Sequence, residues 1–205
     1  MAEDVPDLHA LIARYPASWL GALGLAPWEI TAQAAALVAE RIAGLDGAYR
    51  IGDGVAIHAQ AVVEAGAIVK PPAIIGPGCL VAAGAYLRGG CWLEADCTVG
   101  PGAELKSAFL FAGAAAAHFN FVGDSILGAN VNLEAGAIIA NHRNEAPDRP
   151  IALRLGGRRV ETGTRKFGAL VGDGARIGAN AVIAPGAVID RNAVVPRLGL
   201  IDQGG

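Results

Sequence analysis

The sequence predicts an all-β solenoid, and three observations predict it. An apolar residue returns at every sixth position through Ile51, Ile57, Val63, Val69, Ile75, Val81, Leu87, Leu93, Val99, Leu105 and Phe111. Four residues after each comes a second, mostly small one: Val55, Ala61, Ala67, Ala73, Cys79, Ala85, Cys91, Cys97, Ala103, Phe109 and Ala115. Between them stand turn residues, as in Gly52-Asp53-Gly54, Gly76-Pro77-Gly78 and Gly100-Pro101-Gly102, where the chain must bend. A helix repeats its apolar face about every 3.6 residues and a half-buried strand about every 2, so a period of six fits neither as a continuous element. Short strands joined by tight corners satisfy all three observations.

Composition agrees. The chain has 205 residues, 29 of them glycine, and a mean hydropathy of +0.42, high for an ordinary α/β enzyme and natural for a solenoid of Ala, Val, Ile and Leu. No run of about 18 purely apolar residues occurs, which argues against a spanning helix and a membrane partner. The N-terminal MAEDVPD lacks the basic and apolar regions of a secretory signal, so the expected residence is cytoplasmic. A net charge of -3 gives no electrostatic case for a nucleic acid partner.

The elements follow in order. Residues 1–47 read as a helical cap. Asp7 caps a short helix with Leu8, Leu11, Ile12 and Tyr15 at helical spacing, and Pro16 closes it. Pro27 and Glu29 open a second helix, whose stripe of Ile30, Ala34, Leu37, Val38 and Ile42 runs to Gly44. Trp19, Leu23, Leu25 and Trp28 are too apolar for a free linker, and the expectation is that the cap covers the open first coil, whose core and strand edges would otherwise be bare. Docking of a partner or carrier is the functional alternative. The solenoid occupies residues 48–195 and a short tail residues 196–205. Cys79, Cys91 and Cys97 stand at the small place of their hexads, as buried hydrophobes in reduced form rather than metal ligands.

Two stretches break the period. Ala117 keeps the phase, but the next series is Leu127, Leu133 and Ile139, ten residues on where two hexads would need twelve, so residues 117–125 form an irregular turn that holds His118. A repeat that breaks its rule at one place marks a candidate site. The second break is an excursion over residues 141–169, after which hexads resume at Val171, Ile177, Ile183 and Ile189. Inside it Ile151, Leu153 and Leu155 alternate with Ala152 and Arg154, and Gly156-Gly157 turns the chain into Arg158-Arg159-Val160, a hairpin signal. The excursion carries seven basic residues against three acidic ones, a balance of +4 that suits a solvated hairpin or an arm reaching anionic ligands.

The hexads resemble those of the hexapeptide-repeat left-handed β-helix, in which three hexads close one triangular coil and residues 18 apart stack. In that frame Arg88 and Lys106 leave the same corner on neighbouring coils. Two like charges about 5 Å apart gain nothing for folding, and a phosphate between them would relieve the repulsion; two solvated chains that splay apart are the plain alternative. Residues 104–141, ELKSAFLFAGAAAAHFNFVGDSILGANVNLEAGAIIAN, look like the acetyltransferase domain of bifunctional glucosamine-1-phosphate acetyltransferase/N-acetylglucosamine-1-phosphate uridylyltransferases. Residues 156–189 resemble the tail of the related sugar-1-phosphate nucleotidyltransferases. The resemblance covers residues 51–195. The short segment that precedes the repeat holds no phosphate-binding Gly-rich loop, so no counterpart of the nucleotidyltransferase half is expected in it.

This resemblance implies His118 as catalytic base, Arg88 and Lys106 as phosphate ligands, Asn132 as a sugar contact, Asn141 at the acetyl group and Lys166 as a further substrate contact. It implies acetyl-CoA, or another acyl-CoA, as co-substrate, no required metal, and a homotrimer with sites between subunits. The family's usual Tyr is replaced by Phe121 and, after the acetyl-site Asn, by His142, which leaves the acceptor open. The chemistry would be acyl transfer from a thioester to an amine. A base must take the amine's proton, work suited to an imidazole; Asn141 would donate toward the thioester oxygen; and Arg158 and Arg159 would meet the phosphates of coenzyme A, with His142 beside them. The rival is a non-catalytic sugar-phosphate or nucleotide-binding homologue of the nucleotidyltransferase tail. Nucleotidyl transfer with a separate chain and a zinc hydrolyase are weaker, the latter because His58, His118 and His142 include no close pair.

Overall fold

The computed structural model describes residues 8–203, which form a left-handed parallel β-helix with a helical cap and a hairpin. Each of three faces holds seven short parallel strands. The first face begins with Val55–His58 and ends with Ala187–Ile189, the second runs from Val62–Val63 to Val194–Val195, and the third from Ile68–Val69 to Leu200–Ile201. Inside the triangle, aliphatics such as Leu87, Leu93, Leu105 and Leu133 stack between Ala and Cys at the corners, all fully buried. Large side chains thus alternate with small ones along the interior, as close packing requires.

The hexad series holds with two corrections. Ile51 is half exposed on the strand Tyr49–Gly52, which pairs antiparallel with Val55–His58, so the solenoid interior begins at Ile57. That antiparallel strand lies along the edge of the first coil, where bare hydrogen-bonding groups would otherwise invite association. Further on, Ala73 pairs with Cys91, eighteen residues later, but Trp92 pairs with Phe109 and Phe109 with Ile126, each seventeen later. The two missing residues are therefore lost singly, after Lys106 and after Gly123, rather than together in residues 117–125. Ser107 (φ 48°) and Asp124 (φ 44°) make the tightened corners. A one-residue slip exchanges inside for outside, so Ala108 and Leu110 enter the core while Phe109 and Phe111 turn outward.

Those two rings are fully buried all the same, because the cap lies on them. The cap comprises α1 (Leu8–Leu11), α2 (Pro27–Ala32) and α3 (Ala34–Ala43), with two 3-10 turns between α1 and α2. It spreads over the outer side of the first face rather than over the open coil end, contrary to the sequence expectation. The physical reason is the outer surface of that face, where Ile74, Trp92, Phe109, Phe111, Ile126 and Leu170 form an apolar sheet that Leu11, Ile12, Leu20, Ile30 and Val38 cover. Trp92 meets Trp19 and Phe111 edge-on at 5.8 and 5.3 Å, an arrangement aromatic rings favour. Gly90 permits the approach, since a Cβ there would stand 2.4 Å from the Ala34 carbonyl carbon. The Glu29 carboxylate accepts the Ala26 N–H at 2.8 Å and starts α2; Asp7, expected to cap the first helix, lies outside the described residues.

The hairpin forms as the sequence predicts, from Ala152–Leu155 and Arg158–Glu161 around Gly156-Gly157, both at positive φ. Ile151 and Leu153 anchor its base on the first face, and its exposed tip carries Arg158 and Arg159. All three cysteines are free and buried inside the coil, with the Cys97 N–H donating to Cys79 Sγ at 3.4 Å. Burial pushes the Cys91 thiol up to about 11, and contact with Cys79 together with burial raises that of Cys97, so these two are unreactive packing groups.

Candidate active site

The third face carries the candidate residues, and its ladder sets their order. Tyr86–Arg88, Glu104–Lys106 and Phe121–Gly123 lie side by side, so Arg88 and Lys106 are direct neighbours as their spacing predicts. They are not a bare pair of like charges. Arg88 Nε donates to Glu104 Oε1 at 2.7 Å, and Lys106 Nζ to both oxygens of Asp124 at 2.7 Å. The repulsion that argued for a bound anion is thus relieved by carboxylates of the chain itself.

Asp124 is the residue that reading the sequence overlooked. It is 4% exposed, and its position follows from the tightened corner, where its N–H donates to the Lys106 carbonyl at 2.7 Å and its carbonyl accepts from Gly168 N at 2.9 Å. Its carboxylate also accepts from Asn141 Nδ2. The repeat concealed it, for the coil here is shortened to seventeen residues and Lys106 stacks on Gly123, with Asp124 at the corner that follows. Gly123 brings the next two groups in: a Cβ there would lie 2.7 Å from Asn141 Cγ and 2.8 Å from a Phe121 ring carbon. The Phe121 ring and the Asn141 amide therefore meet over bare backbone.

Beside this cluster opens a cavity of about 620 Å³. Lys106, Ser107 and Asp124 belong to the solenoid side, Thr31 and Ala32 to α2, and His142, Pro147, Asp148, Thr164, Arg165 and Lys166 to the excursion. His142 Nδ1 lies 3.2 Å from the Arg165 carbonyl, and Arg165 pairs with Asp148 at 3.3 Å. The lining is ionic on two sides and small on the third. Ala32→Trp is therefore expected to fill the cavity from the cap without touching the solenoid, raising the KM of a bulky acceptor about tenfold or more while the melting temperature stays within a few degrees; steady-state kinetics with a small and a nucleotide-linked acceptor check it.

His118 occupies the opposite edge of the third face, at the corner with the second. Its main-chain N–H donates to Asn120 Oδ1 at 2.9 Å, while Asn120 Nδ2 binds the carbonyls of Glu134 (2.7 Å) and Ala137 (3.2 Å). Buried Asn120 thereby staples the corner. The His118 side chain is exposed and its imidazole hydrogen-bonds to no described residue. Phe119 follows at φ 52° and 72% exposure, an uncommon state for a large side chain. Asn132 does not join this face; it points from the second face beside Arg176. Arg158 and Arg159 sit on the hairpin, outside the cavity lining. So the fold gathers Lys106, Asn141, His142 and Lys166 around Asp124, with Arg88 and Phe121 adjoining, and leaves His118 and Asn132 apart. Among the described residues no three His, Cys, Asp or Glu side chains are grouped to hold a metal, and no helix is long and apolar enough to cross a membrane.

Residues 72–107 match the family model for the bacterial transferase hexapeptide (six repeats). The chain is 34% identical over 80 residues to a bifunctional sugar-1-phosphate nucleotidylyltransferase/acetyltransferase of Sulfurisphaera tokodaii, a match covering 39% of this chain and 20% of the relative. It is 38% identical over 80 residues to the bifunctional protein GlmU of Methanococcus maripaludis, covering 39% of this chain and 19% of that one. The matched part thus spans about a fifth of the length of these curated relatives. Among solved structures, the acetyltransferase domain of PglB from Neisseria gonorrhoeae is similar at 19% identity and a TM-score of 0.43, covering 78% of this chain and 61% of that one.

Proposed function

We propose that this hexapeptide-repeat protein transfers an acyl group from acyl-CoA, with acetyl-CoA the first choice, to the amine of an amino-sugar phosphate or a nucleotide-linked amino sugar. The observation that carries the reading is His118, an exposed and unpartnered imidazole held by a buried staple on the same face as the Lys106, Asp124 and Asn141 cluster. Local similarity to bifunctional enzymes whose names include acetyltransferase supports it. His118 serves as general base. The cluster orients the acceptor, Phe121 offers it an apolar wall, and Lys166 in the cavity lining answers its phosphate. The excursion, with its charge of +4, suits the phosphates of coenzyme A, which would engage Arg158, Arg159 and His142. The thioester supplies the acyl group; the chain supplies orientation and the base. Cytoplasmic residence belongs to the same proposal, as the compartment that keeps thiols reduced.

Distance between the residues favours a homotrimer. The first face is covered by the cap and hairpin, whereas Val62, Ile68, Ile138, Val182, Val194 and Leu200 stand exposed on the other two faces, with Phe119 and Leu198 on the edge between them. Exposed apolar side chains on both uncovered faces suit contact between copies. Packing the second face of one copy on the third face of another would carry Asn132 toward His118. Sedimentation equilibrium is expected to give a trimer at micromolar concentration, and a monomer would remove the shared site.

The binding-module reading keeps one specific support: Phe121 has no hydroxyl to contact the substrate. Incubation with acetyl-CoA and glucosamine-1-phosphate, galactosamine-1-phosphate or nucleotide-linked amino sugars separates the two. Acylated product with any of them supports the enzyme; binding without product supports the module.

A further inference from the structure

We infer that Asp124 is a positioning residue that fixes which end of the Asn141 amide faces the acceptor, so that Asn141 holds the attacking amine rather than the thioester oxygen. The inference rests on the acyl-transfer reading above. An ionised carboxylate only accepts hydrogen bonds, and an asparagine side chain has one donor end and one acceptor end. With Nδ2 directed at Asp124, the Oδ1 end must face the other way. The reverse orientation would set an amide oxygen against a carboxylate. Amide orientation is ordinarily ambiguous; here the charge decides it.

The lock is well supported. Asp124 is 4% exposed, and both its oxygens are bound by Lys106 Nζ at 2.7 Å. The Asn141 main-chain carbonyl accepts from Phe167 N at 3.0 Å, and its side chain is confined above Gly123 beside the Phe121 ring. Among the described residues, Oδ1 accepts no hydrogen bond. What it offers is an acceptor, polarised by a buried carboxylate through the amide, and such chains strengthen one another. The group it fits is the N–H of a primary amine. As the amine's lone pair forms the new C–N bond, positive charge develops on nitrogen and strengthens that contact. The C–S bond breaks, its electron pair leaves on sulfur, and the amine proton passes to the general base. The amide then aims the lone pair and lowers the cost of the charge, effects that appear in kcat more than in KM.

Asp124→Asn tests this, because the isosteric amide accepts either orientation of Asn141 and releases Lys106. Expected is a fall in kcat of about 10- to 100-fold with the acceptor KM changed less than about threefold. Two independent readouts accompany it: the Asn141 side-chain amide resonance, assigned by its loss in Asn141→Ala, shifts, and inorganic phosphate binds several-fold more tightly. A kcat within twofold of wild type overturns the inference while leaving acyl transfer standing. If wild type acylates no amine, the acyl-transfer reading falls and the catalytic half of the inference with it; an unmoved amide signal and unchanged phosphate affinity then overturn the lock as well. Should Asp124→Asn fail to fold, Asp124→Leu with Lys106→Met removes both charges together and gives the same kcat comparison.

Discussion

His118→Ala is expected to lower kcat about 10²- to 10⁴-fold while leaving the fold and coenzyme A binding intact. The imidazole stands exposed and bonds to no described residue, so its removal leaves no buried partner unsatisfied. The corner itself is held from the main chain, by Asn120 through the His118 N–H and the carbonyls of Glu134 and Ala137. Loss of activity without loss of structure would therefore report chemistry. The wild-type rate should fall toward acid, because a protonated imidazole cannot take the amine's proton. Single-turnover rates and a melting curve on both proteins provide the measurement. Full activity in the variant places the base elsewhere on the third face.

The contrast between His118 and Asp124 shows what a linear pattern conveys. The stacking of Arg88 on Lys106 follows from 18-residue spacing, because identical coils make position along the sequence a coordinate in space, whereas the deviation in the repeat falls at the corners of Ser107 and Asp124 and not at that of His118. The partners of those cations did not follow. Glu104 lies two residues before Lys106 and Asp124 one coil later, but their roles depend on which side chains leave the coil, and that is decided by where single residues are lost. The sequence of the first face hides such losses. Its strands are buried on both sides, by the core and by the cap, so Phe109 and Phe111 are as apolar as Ala108 and Leu110 and either phase reads as core. A face with one wet side would have shown the slip. Asn132 stacks on Ala115 on the second face, so the fourteen residues after His118 carry the chain nearly once round the triangle and leave Asn132 one coil on, away from the third face.

That ambiguity at Phe109 supports the second large expected effect. Phe109 is fully buried on the outer side of the first face, with its ring 6.2 Å from Trp19 and its strand between those of Trp92 and Ile126. Phe109→Ala should cost about 3–5 kcal/mol, the range for removing a buried phenylalanine. Because the ring faces the cap, the loss should fall on cap docking. Leu110→Ala, one residue on and inward, should cost about 2–5 kcal/mol and fall on the coil. All three tryptophans, Trp19, Trp28 and Trp92, pack at the cap interface, so fluorescence reports the cap while far-ultraviolet circular dichroism reports the β-helix. In Phe109→Ala the fluorescence transition should move to lower denaturant ahead of the dichroism transition; in Leu110→Ala the two should move together. The loosened cap also withdraws Thr31 and Ala32 from the cavity, which should raise the acceptor KM in the first variant at temperatures where its coil is intact. If the two transitions in Phe109→Ala stay together and unmoved, Phe109 does not hold the cap and the outward register assigned to it is wrong.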